Sequence, residues 1–111
     1  AHAVLAAVPH LDGPFGVLNA DDFYGATAYR LVANHMARQP ADGDQAMAGY
    51  RLRQTLSPHG GVSRGICDVE DGFLTGIREV LEIRQTARGI VGRPAGSDDE
   101  VALTGDERIS T

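Results

Sequence analysis

The stretch Pro14-Phe-Gly-Val-Leu-Asn-Ala-Asp-Asp-Phe-Tyr-Gly25 decides how the fold is read. Residues 15–20 form a short apolar run of the kind shown by a strand buried on both faces, and the run stops abruptly at Asp21-Asp22. This predicts two carboxylates at the carboxyl end of a strand. Over residues 26–38 the apolar residues Tyr29, Val32, Ala33 and Met36 recur at i, i+3, i+4 and i+7, which predicts an amphipathic helix closed by Pro40 and a polar loop over 41–45. Strand, acidic loop and helix in that order are the parts of an α/β arrangement.

Upstream, residues 1–8 are an Ala, Val and Leu run with no helix start signal before it, so it is expected to be the end of a helix, stopped by Pro9 and the turn residues Asp12-Gly13-Pro14. Downstream the period changes. Residues 47–52 and 62–69 are strand candidates around a Ser57-Pro58-His59-Gly60-Gly61 turn. Asp71-Gly72 predicts a tight hairpin between strands 62–70 and 73–81, because both residue types tolerate the positive φ that such a turn demands. Beyond Ile83 the pattern weakens, with residues 94–100 expected as an exposed loop and 101–103 as a short strand.

At 111 residues the chain is sized for one domain. Ten arginines, no lysine and fifteen acids give a net charge of −5, which argues against sequence-independent binding to nucleic-acid phosphates. The longest apolar stretch, residues 3–8, is too short to span a bilayer, so no membrane partner is expected. Cys67 is the single cysteine and has no internal disulfide partner; with no signal-type leader before Ala1, a cytoplasmic location is the expectation. Cys67 reads as a small core residue, and His10, His35 and His59 as ordinary surface or turn residues with no metal-ligand spacing.

The acidic pair has two readings. In open α/β sheets ligands gather beyond the carboxyl ends of strands, where adjacent carboxylates suit Mg²⁺ bridging phosphate oxygens. Alternatively, Asp21-Asp22 caps the following helix, a carboxylate meeting its unpaired N–H groups. Glu79 is a second candidate. Period-two alternation puts Phe73, Thr75, Ile77, Glu79 and Leu81 on one strand face, so a carboxylate shares the apolar side, where burial without a partner is costly and sugar hydroxyls could be the partner.

The string Leu18-Asn-Ala-Asp-Asp-Phe-Tyr-Gly25 followed by an amphipathic helix resembles the sugar-phosphate nucleotidyltransferase (NDP-sugar pyrophosphorylase) family. Other segments match that family in order. Ala1-His-Ala-Val-Leu-Ala-Ala7 is similar to its "GTAHAVLAA" helix start, Ala48-Gly-Tyr-Arg-Leu52 to its central strand, Val62-Ser-Arg-Gly-Ile-Cys67 to its "VSRGVC" strand facing the sugar, and Gly76-Ile-Arg-Glu79 to the strand that brings a glutamate to the site. The resemblance implies a three-layer, Rossmann-like α/β fold with a mixed, mostly parallel sheet and an antiparallel hairpin. The chain would be the central part of a single nucleotidyltransferase domain, lacking the family's Gly-rich triphosphate loop and second metal-binding aspartate.

The implied reaction joins an NTP and a sugar 1-phosphate to give an NDP-sugar and pyrophosphate, a step of nucleotide-sugar biosynthesis with Mg²⁺ as cofactor. By resemblance Asp21 is the catalytic metal-binding residue and Asp22 a lesser metal ligand that fixes the loop. His2 then lies near the nucleobase and phosphates, Gly65 lets the backbone approach the sugar, and Glu79 binds it. The residue after this glutamate is basic in relatives and is Val80 here, so the phosphate contact has no donor at that position. A truncated sheet of this kind is expected to self-associate through its exposed edges. Two other functions compete: a metal-dependent glycosyltransferase using a nucleotide-sugar, and a non-catalytic binding or regulatory module in which the acidic pair only caps a helix.

Overall fold

The computed structural model describes residues 2–38 and 43–110, and the chain divides into two compact units, Ala1–Ala48 and Gly49–Thr111. In the first, helix α1 (His2–Ala7) runs into a 3₁₀ turn at Val8–His10, where Pro9 begins the tighter helix and the Leu11 N–H closes it on the Val8 carbonyl at 3.2 Å. Helix α2 (Gly25–Ala37) follows the acidic pair. Gly25 opens it at φ +75°, a backbone conformation that costs a glycine little. Of its expected apolar stripe, Val32 and Met36 are half-buried beside the buried Ala28, whereas Tyr29 and Ala33 face out. Tyr29 instead meets the Tyr24 ring edge-on, with centroids 6.3 Å apart.

The strand expected over residues 15–20 does not form. Residues 11–19 have no regular structure, and Phe15, Val17 and Leu18 are exposed. An apolar run becomes a strand only where neighbouring strands take its N–H and C=O groups. The first unit offers none among its described residues. The loop expected over 41–45 lies partly outside the described residues.

The second unit is a six-stranded sheet in the order β1-β6-β2-β3-β4-β5, built from β1 (Tyr50–Arg51), β2 (Val62–Glu70), β3 (Phe73–Thr86), β4 (Gly89–Pro94), β5 (Val101–Leu103) and β6 (Arg108–Ser110). Every pairing is antiparallel. This overturns the expected three-layer, mostly parallel, Rossmann-like α/β fold. A parallel pair needs a crossover of a dozen or more residues, usually a helix. Here α1 and α2 both precede β1, and β2, β3 and β4 are joined by two-residue turns, a connection that permits only antiparallel pairing.

The expected Asp71-Gly72 turn is present, with φ +50° and +85°, and pairs Glu70 with Phe73. The second turn, at Ala87-Arg88, is held by the Thr86 hydroxyl, which donates to the Gly89 carbonyl at 2.8 Å and accepts from the Arg88 N–H at 3.2 Å. One sheet face carries the core: Leu52, Ile66, Val80, Ile83, Ile90 and Ile109, flanked by Tyr50, Leu56, Val62 and Leu103. Leu52 sits on a 3₁₀ turn that crosses this face. Its N–H reaches the Glu107 carbonyl and that of Arg53 the Gly105 carbonyl, both at 3.0 Å.

A bulge sets which residues enter the core. Leu81 pairs with Arg93 and Arg84 with Val91, so Glu82 and Ile83 together oppose Gly92. Glu82 sits at φ +53°, left-handed for a non-glycine residue. The extra residue moves the inward position after Val80 from 82 to 83, and both Val80 and Ile83 are buried. Gly92 completes the fit, since a Cβ there would stand 2.7 Å from Val80 Cγ1 and 2.9 Å from Ile83 Cγ1.

Candidate functional site

The acidic loop is held by its own side chains. Asn19 Nδ2 donates to Asp22 Oδ2 at 2.8 Å, the Asn19 N–H donates to the Tyr24 hydroxyl oxygen at 3.1 Å, and that hydroxyl lies 3.4 Å from Asp22 Oδ2. Asp22 is therefore a structural acceptor. Asp21 beside it is exposed, and among the described residues its carboxylate has no hydrogen-bond or ion-pair partner. Neither aspartate caps α2, whose N-cap is Tyr24 with no side-chain cap bond. The capping alternative is thus not what the loop does.

Among the described residues no three His, Cys, Asp or Glu side chains gather as a metal site. Mg²⁺ needs no such cage when phosphate oxygens and water complete its shell around one or two carboxylates. Asp21, open to solvent, fits that donor role; Asp22 could join only with its remaining lone pairs, one oxygen being already occupied by the Asn19 amide. His2 is exposed at the start of α1.

Gly65 and Glu79 come together. They lie in motifs separated in sequence, yet are direct cross-strand partners on β2 and β3, and Gly65 is paired on its other side with Ser110 of β6. Directly opposed residues of antiparallel strands share a face, so a carboxylate and a hydroxyl flank a position with no side chain. A Cβ on Gly65 would stand 2.9 Å from Ile77 Cγ2 and 3.7 Å from Ser110 Cβ, so the Ile77 side chain already lies over the glycine and any side chain there would collide with it.

The surroundings of Glu79 differ from expectation. Its face is the open side of the sheet, where Ile77 is 53% exposed, while the buried side carries Val80; the bulge opposite Asp68 and Val69 shifts the phase of β3, so Phe73, expected beside Glu79, falls on the other face. The reason is what packs on the sheet. Leu52 and Leu56 join the cluster that holds Val80 and Ile83, on the face opposite Glu79. The Glu79 side chain is therefore solvated, with its backbone carbonyl receiving the Ala95 N–H at 2.9 Å.

Three sites on this unit titrate away from their ordinary values. The Arg78 guanidinium, bonded to Asp68 at 3.1 and 3.3 Å, holds the Asp68 carboxyl low and is itself raised. Burial pushes the Cys67 thiol up, the opposite of what a reactive thiolate needs. Partial burial would raise Glu107, but N–H groups of Thr104 and Gly105, each 2.7 Å from one of its carboxylate oxygens, prevail and lower it.

Sequence reasoning missed Ser110 as a flanking group and Arg108, which stands opposite Cys67 on the same face. Only the pairing of β6 with β2 reveals them. Among the described residues no helix is long and apolar enough to cross a membrane. The chain matches no protein-family model and no curated protein.

Proposed function

We propose that the chain supplies the acceptor-binding part of a sugar-phosphate nucleotidyltransferase, which joins an NTP to a sugar 1-phosphate and releases pyrophosphate. The observation that carries this reading is the Glu79–Gly65–Ser110 row, in which two residues from separate motifs become cross-strand partners on the open face of the sheet. A solvated carboxylate on this face suits a polyhydroxylated ring, because its oxygens accept hydrogen bonds from the ring hydroxyls.

In this reaction an oxygen of the sugar phosphate attacks the α-phosphorus in line and pyrophosphate leaves, so the protein contributes positioning and charge neutralisation without a nucleophile of its own. Glu79 would orient the acceptor through its hydroxyls. Asp21 would hold Mg²⁺, which when bound neutralises phosphate charge; Asp22, tied to Asn19, would fix the loop that presents Asp21. Asp22 engaged and Asp21 open also favour this reading over a module whose acids only cap a helix.

The test uses the full-length gene product with NTP, glucose 1-phosphate and Mg²⁺, reading pyrophosphate release. Asp21→Asn should lower turnover by orders of magnitude and Asp22→Asn far less. Glu79→Gln should raise KM for the sugar phosphate and leave NTP affinity nearly unchanged. Equal small effects of the two aspartate changes would refute the metal assignment. Turnover of an NDP-sugar in place of NTP would point to the glycosyltransferase alternative.

A further inference from the structure

The open sheet face carries more than the Glu79–Gly65–Ser110 row. One row along, Cys67 of β2 is paired with Ile77 of β3 and with Arg108 of β6, and Arg108 is paired in turn with Arg51 of β1. Two arginines thus stand directly opposite each other on one face, an arrangement that costs stability unless anions answer it. Only one of them is answered. Arg51 Nη1 lies 3.0 Å from Asp106 Oδ1, and the other oxygen of Asp106 is taken by Arg53 Nη2 at 2.7 Å.

Arg108 is exposed, and among the described residues its guanidinium has no ion-pair or hydrogen-bond partner. Of the other arginines of the second unit, Arg64 is committed to the Thr55 and Ser63 carbonyls, Arg78 to Asp68, Arg84 to Glu100, and Arg93 to Glu82 and the Ser97 carbonyl, while Arg88, in the β3–β4 turn, has no side-chain partner among the described residues but stands opposite no other arginine. The nearby Glu107 carboxylate is held by the Thr104 and Gly105 N–H groups. The guanidinium therefore keeps five donors unspent beside a second arginine, on the face that carries Glu79.

We propose that Arg108 is an anion-binding residue that receives the phosphate monoester of the sugar phosphate whose ring Glu79 binds. This rests on the sugar-phosphate reading and locates the phosphate contact it lacked. At Val80, where the resemblance leads one to expect a basic residue, the side chain is 1% exposed and part of the core, so no phosphate can be met there. Arg108 lies two strands from Glu79 and one row along, roughly 10 Å by 7 Å, or about 12 Å between Cα atoms. Two side chains reaching toward each other across that span leave room for a phosphorylated monosaccharide, and the separation keeps the Glu79 charge away from the phosphate. Arginine also suits the ligand, since its planar fork matches two phosphate oxygens.

The experiment is an NMR titration of the ¹⁵N-labelled chain with glucose 1-phosphate, glucose and inorganic phosphate, repeated for Arg108→Gln, Arg108→Lys and Glu79→Gln. Glucose 1-phosphate should shift the amides around Arg108 and Glu79 together. Arg108→Gln should weaken it about tenfold, the scale of one lost charge-assisted bond, without changing the response to glucose, and Arg108→Lys should restore part of the loss. Glu79→Gln should weaken both sugars and spare inorganic phosphate. Wild-type affinity in Arg108→Gln would overturn the inference while leaving the Glu79 reading intact. Glucose 1-phosphate binding no tighter than inorganic phosphate, with only Arg108 responding, would support the anion site and overturn the sugar reading. No response to any of the three ligands would refute both.

Discussion

Replacing Glu107 with glutamine removes one negative charge from the loop that pins the core, and its effect can be worked out from the geometry. The two carboxylate oxygens accept the Thr104 and Gly105 N–H groups, each at 2.7 Å. Gly105 is buried, at φ +85°, and its carbonyl holds the Arg53 N–H that seats Leu52 in the core. A glutamine can present one oxygen to one N–H, and its own NH₂ then faces the other donor. Bonds to a charged acceptor contribute about 1.5–3 kcal/mol each, and partial exposure reduces the pair to about 2 kcal/mol in all. For a unit of this size that is roughly a 10 °C fall in Tm.

The pH dependence gives the sharper test. The folded carboxyl lies below its ordinary 4.5, so its contribution is fully present above 4.5 and is lost as pH falls through the folded value. The amide that replaces it in the Glu107→Gln variant does not titrate. Thermal unfolding followed by far-UV circular dichroism should therefore show a wide gap between wild type and Glu107→Gln at neutral pH, closing as the solution is acidified below 4.5. A gap that is constant with pH would refute the reasoning, because the loss would then come from packing and not from charge-assisted bonds.

Three further outcomes follow from the sheet. Gly92→Ala drives a Cβ to within 2.7 Å of Val80 and 2.9 Å of Ile83, so it should cost about 1–3 kcal/mol in a urea titration. Glu82→Gly relieves a left-handed non-glycine residue and, after the entropy cost of glycine and the loss of a 3.5 Å contact to Arg93, should leave stability within about 1 kcal/mol of wild type; a larger loss would show that the Glu82 side chain holds the bulge. Asp68→Asn removes an exposed ion pair with Arg78 and should leave Tm unchanged, while the Arg78 side-chain signals lose their shift in NMR.

Much of the second unit is legible because its turns are written in residue types. Asp71-Gly72 is a dipeptide that accepts positive φ at both positions, and the hairpin forms around it. The Ala87-Arg88 turn carries no such mark. It depends on the Thr86 hydroxyl, a contact visible only once β3 and β4 are paired, and so nothing in the sequence announces β4. The run at residues 15–20 misleads for a complementary reason. Hydrophobicity says that a segment wants cover and not what will cover it, and no strand among the described residues of its unit is there to pair with it.

For the site, local pattern reaches as far as the strands that carry it. Glu79 and Gly65 can be named from their motifs, and period two correctly separates Glu79 from Val80, but it cannot tell which face is covered. That depends on what packs against the sheet, and the bulges opposite Asp68–Val69 and at Glu82 change the phase along β3. Arg108 is out of its reach altogether. Its meaning comes from a sheet order that inserts β6 between β1 and β2, bringing residues 51, 108, 67 and 77 into one row. An arginine in a three-residue strand near Thr111 carries no signal by itself. Opposed to a second arginine whose counter-ion is already shared, and on the face that carries the solvated Glu79 carboxylate, it becomes the cation that an anionic acceptor would meet.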